Sequence, residues 1–323
     1  MITSWRPLVL VGVLLSLCTP LGRAEEPKLF EVGTALFDWK DAARDREVPV
    51  RIYYPKGKDT KSPVIIFSHG LGGSRDVYVY LARYWVNRGF ISVHVQHRGS
   101  DAAVWKGQNN PAQALRASAA NLQNVTDRPR DISFAIDQLT ALAAEDPTWA
   151  ARLDLDRIGC AGHSFGANTA MLIAGQTLGI GNEVFRDPRV KATLALSEPV
   201  PSIMPETVFK TVDTPVLHMT GTRDDSPVGE TMAAARRIPF DRIEGPAQYL
   251  LILKDGDHMV FVRPQSPVHQ KLIEEASTAF WEAYLEDSPQ ALAWLNTEFP
   301  KLSKAEGTFE IKAPRPALTP SGT

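Results

Sequence analysis

Cysteine is almost missing from this chain: 323 residues carry only Cys18 and Cys160. A disulfide framework is therefore excluded as the source of stability, which must come from an apolar core. A surplus of one charge is missing too. Lys and Arg number 35 against 37 Asp and Glu, a net charge of -2, so nothing argues for nucleic acid as a partner. No internal repeat is visible. The glycine-rich stretch Ser68 to Arg75 holds neither a Walker lysine nor a G-x-G-x-x-G, which removes the common phosphate and dinucleotide cradles. Histidines close enough to share a metal are lacking: His94 and His97 sit three apart in a strand-like run and so face opposite ways. No motif calls for a cofactor or a metal.

What is present is an ordinary globular composition, 44% hydrophobic and 22% charged, enough for one large α/β domain or two small ones. The one long apolar run opens the chain. "MITSWRPLVLVGVLLSLCTPLGRA" has an Arg at position 6, an apolar stretch, and small residues ending at Ala24. It reads as a secretory signal peptide over 1–24, cut after Ala24. Pro7 to Leu21 is near the short limit for an uncleaved anchor, and a lipid site at Cys18 would need a small residue where Leu17 stands. Export implies a secreted or periplasmic protein with no stable membrane insertion after cleavage. Cys160, in an apolar run, reads as a packing residue rather than a reactive thiol.

Beyond the leader, β-rich runs alternate with helix-like segments. "VPVRIYYP", "SPVIIFSHG", "FISVHVQH", "DRIGCAGHS", "RVKATLALS", "TPVLHMTG" and "AQYLLILKDG" read as strands. Helical spacing is seen from Arg75 to Phe90, from Asp131 to Asp146, after Ser164, and from His269 to Asp287. The later strands are nearly continuous apolar runs, which predicts a mainly parallel central sheet with helices on both faces. Two stretches interrupt the alternation, the polar run from Ser100 to Arg130 and the Pro-containing run from Glu198 to Asp213. Both are expected to pass over the sheet edge where ligands bind. Residues 301–323 are Pro-rich toward their end and are expected to form a loosely ordered tail.

In "GCAGHSFGAN", Ser164 stands between Gly162 and Gly166, after a strand and before a helix. A side chain on so sharp a turn is pushed out of the sheet, and the flanking residues must be small because the two backbones nearly touch. This is the G-x-S-x-G pattern of a serine nucleophile. A serine hydroxyl needs a base, and the base needs an orienting acid, expected in the order Ser, acid, His. After Ser164 the strand "TPVLHMTG" runs into Asp224 and Asp225. Asp224 is favoured as the acid; the other carboxylate would cap the following segment, with Pro227 just inside. His258 follows the next strand in a tight loop and is the candidate base. His94 and His218 fall inside apolar strands and read as core residues; His269 opens the closing helix and reads as solvated. Oxyanion donors are expected from the Phe165 N–H and, in "SHGLGGSR", the Leu71 N–H. In "HRGSDAAVWKG", Arg98 and Trp105 are candidate substrate contacts, although Arg98 could equally pair with Asp101.

Together "SHGLGG", "GHSFGA", "TGTRDD" and "GDHMVF" resemble the α/β-hydrolase superfamily, and within it the dienelactone hydrolase and platelet-activating factor acetylhydrolase relatives. The resemblance runs from about Phe37 to Leu295 and makes 25–300 an α/β-hydrolase catalytic domain. It implies a Ser-His-Asp esterase, working through an acyl-enzyme on a small-molecule ester, with Leu71 and Phe165 as oxyanion donors. The chain departs from dienelactone hydrolases, which use cysteine where Ser164 stands, and has Ala167 where many relatives have a second glycine. A peptidase of the same superfamily and a non-catalytic binding relative are the alternatives. The complete set of three residue types argues against the second.

Overall fold

In β3 (Ser62–Ser68) every residue is buried, and β4 (Ile91–Val95) is buried throughout as well, as expected of strands covered on both faces. The computed structural model describes residues 29–181, 183–201, 207–264 and 266–313, so the expected leader lies outside the described residues. The other strands are β1 (Glu31–Asp41), β2 (Arg46–Lys56), β5 (Leu153–His163), β6 (Val190–Leu196), β7 (Val216–Arg223), β8 (Gln248–Asp257) and β9 (Gly307–Lys312). Among the described residues they form one sheet in the order β1-β2-β4-β3-β5-β6-β7-β8-β9. Pairing is parallel from β4 through β8, while β1, β2 and β9 pair antiparallel at the two sides. The mainly parallel α/β sheet with helices on both faces is therefore as the sequence predicts.

Helices cover both faces, with α2 (Pro111–Ala120), α4 (Pro147–Ala150) and α6 (Ile238–Arg242) among the connections. On one face α1 (Val79–Asn87), α7 (Pro267–Leu285), α8 (Pro289–Thr297) and α9 (Phe299–Ser303) enclose a core built on Trp85, Phe280 and Trp281. On the other, α3 (Leu122–Glu145) packs Ile132, Ile136 and Leu139 against β-strand valines and isoleucines, and α5 (Phe165–Ile173) lies beside it.

Three expectations need correction. The helix expected from Asp131 does not start there: α3 begins at Leu122 and absorbs Pro129, and the helix Pro111–Ala120, capped by Asn110, precedes it within the stretch from Ser100 to Arg130. Nor is the tail loose from 301 onward. Lys301 to Ser303 end α9, and β9 adds a strand beside β8, held by Phe309 stacked on Tyr249 and edge-on to Phe299. His269 is buried, not solvated.

Candidate active site

Four parallel strands deliver the site from their C-terminal ends, the edge where ligands bind in such sheets. Ser164 directly follows β5, Asp224 directly follows β7, His258 directly follows β8, and the loop beginning at His69 directly follows β3. Ser164 takes a left-handed φ of 56°, a strained turn for a residue with a side chain. Gly162 and Gly166 make that turn sterically possible. A Cβ on Gly162 would lie 2.0 Å from the Gly166 carbonyl oxygen, and one on Gly166 would lie 1.9 Å from that of Ser68.

Ser164 Oγ lies 2.9 Å from His258 Nε2, and His258 Nδ1 lies 2.7 Å from Asp224 Oδ1. Of the two neighbouring carboxylates it is Asp224 that meets the histidine; Asp225 accepts from the Ala233 N–H instead. Asp224 is fully buried and well supplied with donors. Its Oδ2 accepts from Ser197 Oγ at 2.6 Å and Thr220 Oγ1 at 2.8 Å, and Arg236 Nε sits 2.9 Å from Oδ1. Burial alone would push this carboxyl up. The His258 bond, the Arg236 charge and the Ser197 hydroxyl outweigh it and hold the group below its ordinary value.

A cavity of about 730 Å³ opens over Ser164. Leu71, Trp105, Phe165, Val200, Met259 and Val262 give it an apolar wall, and Asn168 and Arg263 add polar atoms. Trp105 is fixed there by its indole N–H, which donates to the Gly72 carbonyl at 2.8 Å. The Leu71 and Phe165 N–H groups belong to the same cavity wall, and among the described residues neither finds an acceptor. Arg98 is not brought to this site. It lines a separate depression with Arg44, Arg46 and Arg130, because its carbonyl is held by Arg46 Nη2 and Gly99 turns the chain under Asn124. Asp101 accepts instead from Gln96 and the Ala103 N–H.

Sequence reasoning missed the supports of these residues. His163, between Gly162 and Ser164, is buried; its Nε2 lies 2.9 Å from the His258 carbonyl oxygen and its Nδ1 2.8 Å from the Tyr78 hydroxyl. Burial pushes its ring down to about 3, so it is neutral near pH 7. Its place beside the serine was the available signal. Arg236, twelve residues beyond Asp224, gave none. His94 and His218 are satisfied core residues as expected, bonded to Val77 and Ser92, and to Glu198 and Gln248. Cys160 is buried, and burial pushes its thiol well up.

The family described as "Platelet-activating factor acetylhydrolase, isoform II" matches residues 42–128. The chain resembles the platelet-activating factor acetylhydrolases, of the α/β-hydrolase superfamily. The platelet-activating factor acetylhydrolase of Cavia porcellus is 28% identical over 195 residues, which cover 50% of this chain and 42% of that relative. The family match includes the glycine-rich loop at Leu71 and stops short of Ser164. Both acetylhydrolase names denote ester hydrolysis. Among the described residues no helix is long and apolar enough to cross a membrane.

Proposed function

We propose that the chain is a serine ester hydrolase in which Ser164 is the nucleophile, His258 the general base and Asp224 the acid that orients it. The observation that carries this reading is the continuous chain from Ser164 Oγ to Asp224 Oδ1, at 2.9 and 2.7 Å, on the floor of an apolar cavity. His258 Nε2 takes the Ser164 proton as Oγ attacks the ester carbonyl carbon. The carbonyl π electrons move to oxygen, where the Leu71 and Phe165 N–H groups stabilise the oxyanion. As the intermediate collapses, the alkoxide leaves with the proton from His258 and an acyl-Ser164 ester remains. Water, deprotonated by His258, then attacks that ester and returns the serine with release of the carboxylic acid. Asp224 keeps the imidazole oriented and stabilises its cationic form.

The apolar wall favours esters whose acyl or alcohol part is a hydrocarbon chain, with Trp105 packed along it. Export directed by residues 1–24, to a secreted or periplasmic location, belongs to the same proposal. The test is hydrolysis of p-nitrophenyl esters of increasing acyl length by the protein and by Ser164→Ala. Activity that disappears in the variant supports the reading, and the best acyl length measures the cavity. A protein no faster than the variant on every ester would overturn it.

A further inference from the structure

Arg128 is a fully buried arginine in α3 whose hydrogen-bond partners are all neutral. Nε donates to Thr169 Oγ1 at 2.9 Å, Nη1 to Ser100 Oγ at 2.8 Å, and Nη2 to Ser68 Oγ at 3.0 Å and, very closely, to the His69 carbonyl. The guanidinium carbon also stands 4.6 Å from the centre of the Phe165 ring. Asp131, on the same helix, is occupied by Arg44, Arg46 and His97. Asp127 is engaged by Arg46 and Gln123. His69 and His97 face Arg128 and are kept neutral by burial and by its charge. A buried cation with no carboxylate in contact is expensive to keep.

Its partners lead to both oxyanion donors. The His69 carbonyl lies two residues before Leu71, and the Ser100 carbonyl accepts from the Gly72 N–H at 2.8 Å, one residue after it. On the other side, Thr169 Oγ1 donates to the Phe165 carbonyl at 3.0 Å. One planar group thus spans the two loops that present the Leu71 and Phe165 N–H groups.

We infer that Arg128 is the positioning residue of the oxyanion site: it fixes the spacing of the Leu71 and Phe165 N–H donors and places behind them a positive charge that, among the described residues, no carboxylate contacts. The inference rests on the proposed esterase mechanism. A donor pair set at the right spacing acts on the charge that develops in the transition state, not on the neutral ester, so its loss lowers kcat with little change in KM.

The test compares the full-length protein with Arg128→Lys and Arg128→Met on a p-nitrophenyl ester. It also measures affinity for an alkyl trifluoromethyl ketone, whose adduct with Ser164 carries an oxyanion, and for the matching neutral alcohol. The expected result is a fall in kcat of about 10²-fold, with KM and alcohol affinity within about threefold and the ketone weakened in step with kcat/KM. Added guanidinium should restore part of the Arg128→Met rate. Folded variants with unchanged kcat and ketone affinity would overturn the inference, as would equal losses for ketone and alcohol. If neither variant folds, Ser100→Ala and Thr169→Val, each removing one acceptor, are read the same way; selective weakening of the ketone supports the inference and none overturns it. A wild-type protein inactive on every ester fails the esterase reading, and this inference with it; an active wild type with unaffected variants fails this inference alone.

Discussion

Among the described residues, two chains of serine, histidine and aspartate stand out. One is Ser164, His258 and Asp224. The other is Ser68, His97 and Asp131, with Ser68 Oγ 2.9 Å from His97 Nε2 and His97 Nδ1 3.0 Å from Asp131 Oδ2. The distances hardly differ, yet the settings do. Ser164 stands on a left-handed turn at the floor of a cavity, beside two N–H groups without acceptors. Ser68 is the last residue of an extended strand, fully buried, with Arg128 donating to it. Its hydroxyl is spent between His97 and Arg128, and it does not line the cavity over Ser164. Hydrogen-bonded proximity of three residue types is therefore not chemistry by itself. Access and a place for the developing charge decide.

The largest effects should separate the two chains by activity. Ser164→Ala should reduce ester hydrolysis by about 10⁴-fold or more, and Asp224→Asn by about 10⁴-fold. An alkyl fluorophosphonate should label Ser164 alone, as read by peptide mass spectrometry. Ser68→Ala should lower the rate by about tenfold or less, through the loop it helps to hold. Labelling of Ser68, or equal losses from the two serines, would remove the distinction.

A second effect runs the other way, on stability. Asp131 accepts from Arg44 Nη1 at 2.8 Å and from Arg46 through both oxygens, at 2.8 and 2.9 Å, all largely out of water. Asp131→Asn leaves those cations without their counter-charge and should cost about 3–5 kcal/mol in urea unfolding. Asp224→Asn should cost less, because Arg236 keeps carbonyl acceptors on Ser197, Glu198 and residue 224 itself. An Asp131→Asn protein as stable as wild type would mean the buried chain is not a structural clamp.

How much of this was readable beforehand follows from range. Ser164, Asp224 and His258 each stand directly after an apolar strand-like run, so local pattern placed them at one sheet edge. Leu71 and Trp105 lie in loops that follow such runs, and both reach the cavity wall. Arg128 and Asp131 give no such signal. Their meaning comes from Arg44, Arg46 and Ser68, which are distant in sequence, and Pro129 masks the start of the helix that carries them. Arg98 misled because a flexible cation after a strand looks like a substrate contact. Which way it faces is set by Gly99 and by helices that local pattern did not reveal. The strand β9 was hidden by the prolines that follow it, though Thr308 to Lys312 alternates polar and apolar residues as an edge strand does.

Acid should also distinguish Asp224. Its folded value lies below the ordinary carboxylate value of about 3.9, so its ionised form adds stability that is complete above that pH. The contribution is lost as pH falls through the lower folded value. Thermal melts of wild type should therefore fall more steeply below about pH 4 than those of Asp224→Asn, where this group no longer titrates. Parallel slopes would mean that the donors around Asp224 do not favour its ionised form.

The smallest effect tests the cavity wall. Trp105→Phe keeps an aromatic ring but removes the indole N–H that holds the Gly72 carbonyl, a bond worth about 1 kcal/mol, or about fivefold in kcat/KM. Gly72 has a left-handed φ of 73°, and a Cβ there would meet Trp105 at 2.9 Å, so ring and loop are fitted closely to each other. The loss should grow with acyl length, since a displaced ring leaves more of a long chain in water. Arg98→Ala, in its separate depression, should leave kcat/KM unchanged for every acyl length. An Arg98 effect that matched the Trp105 effect would mean that the loop after β4 moves as one piece when an ester binds.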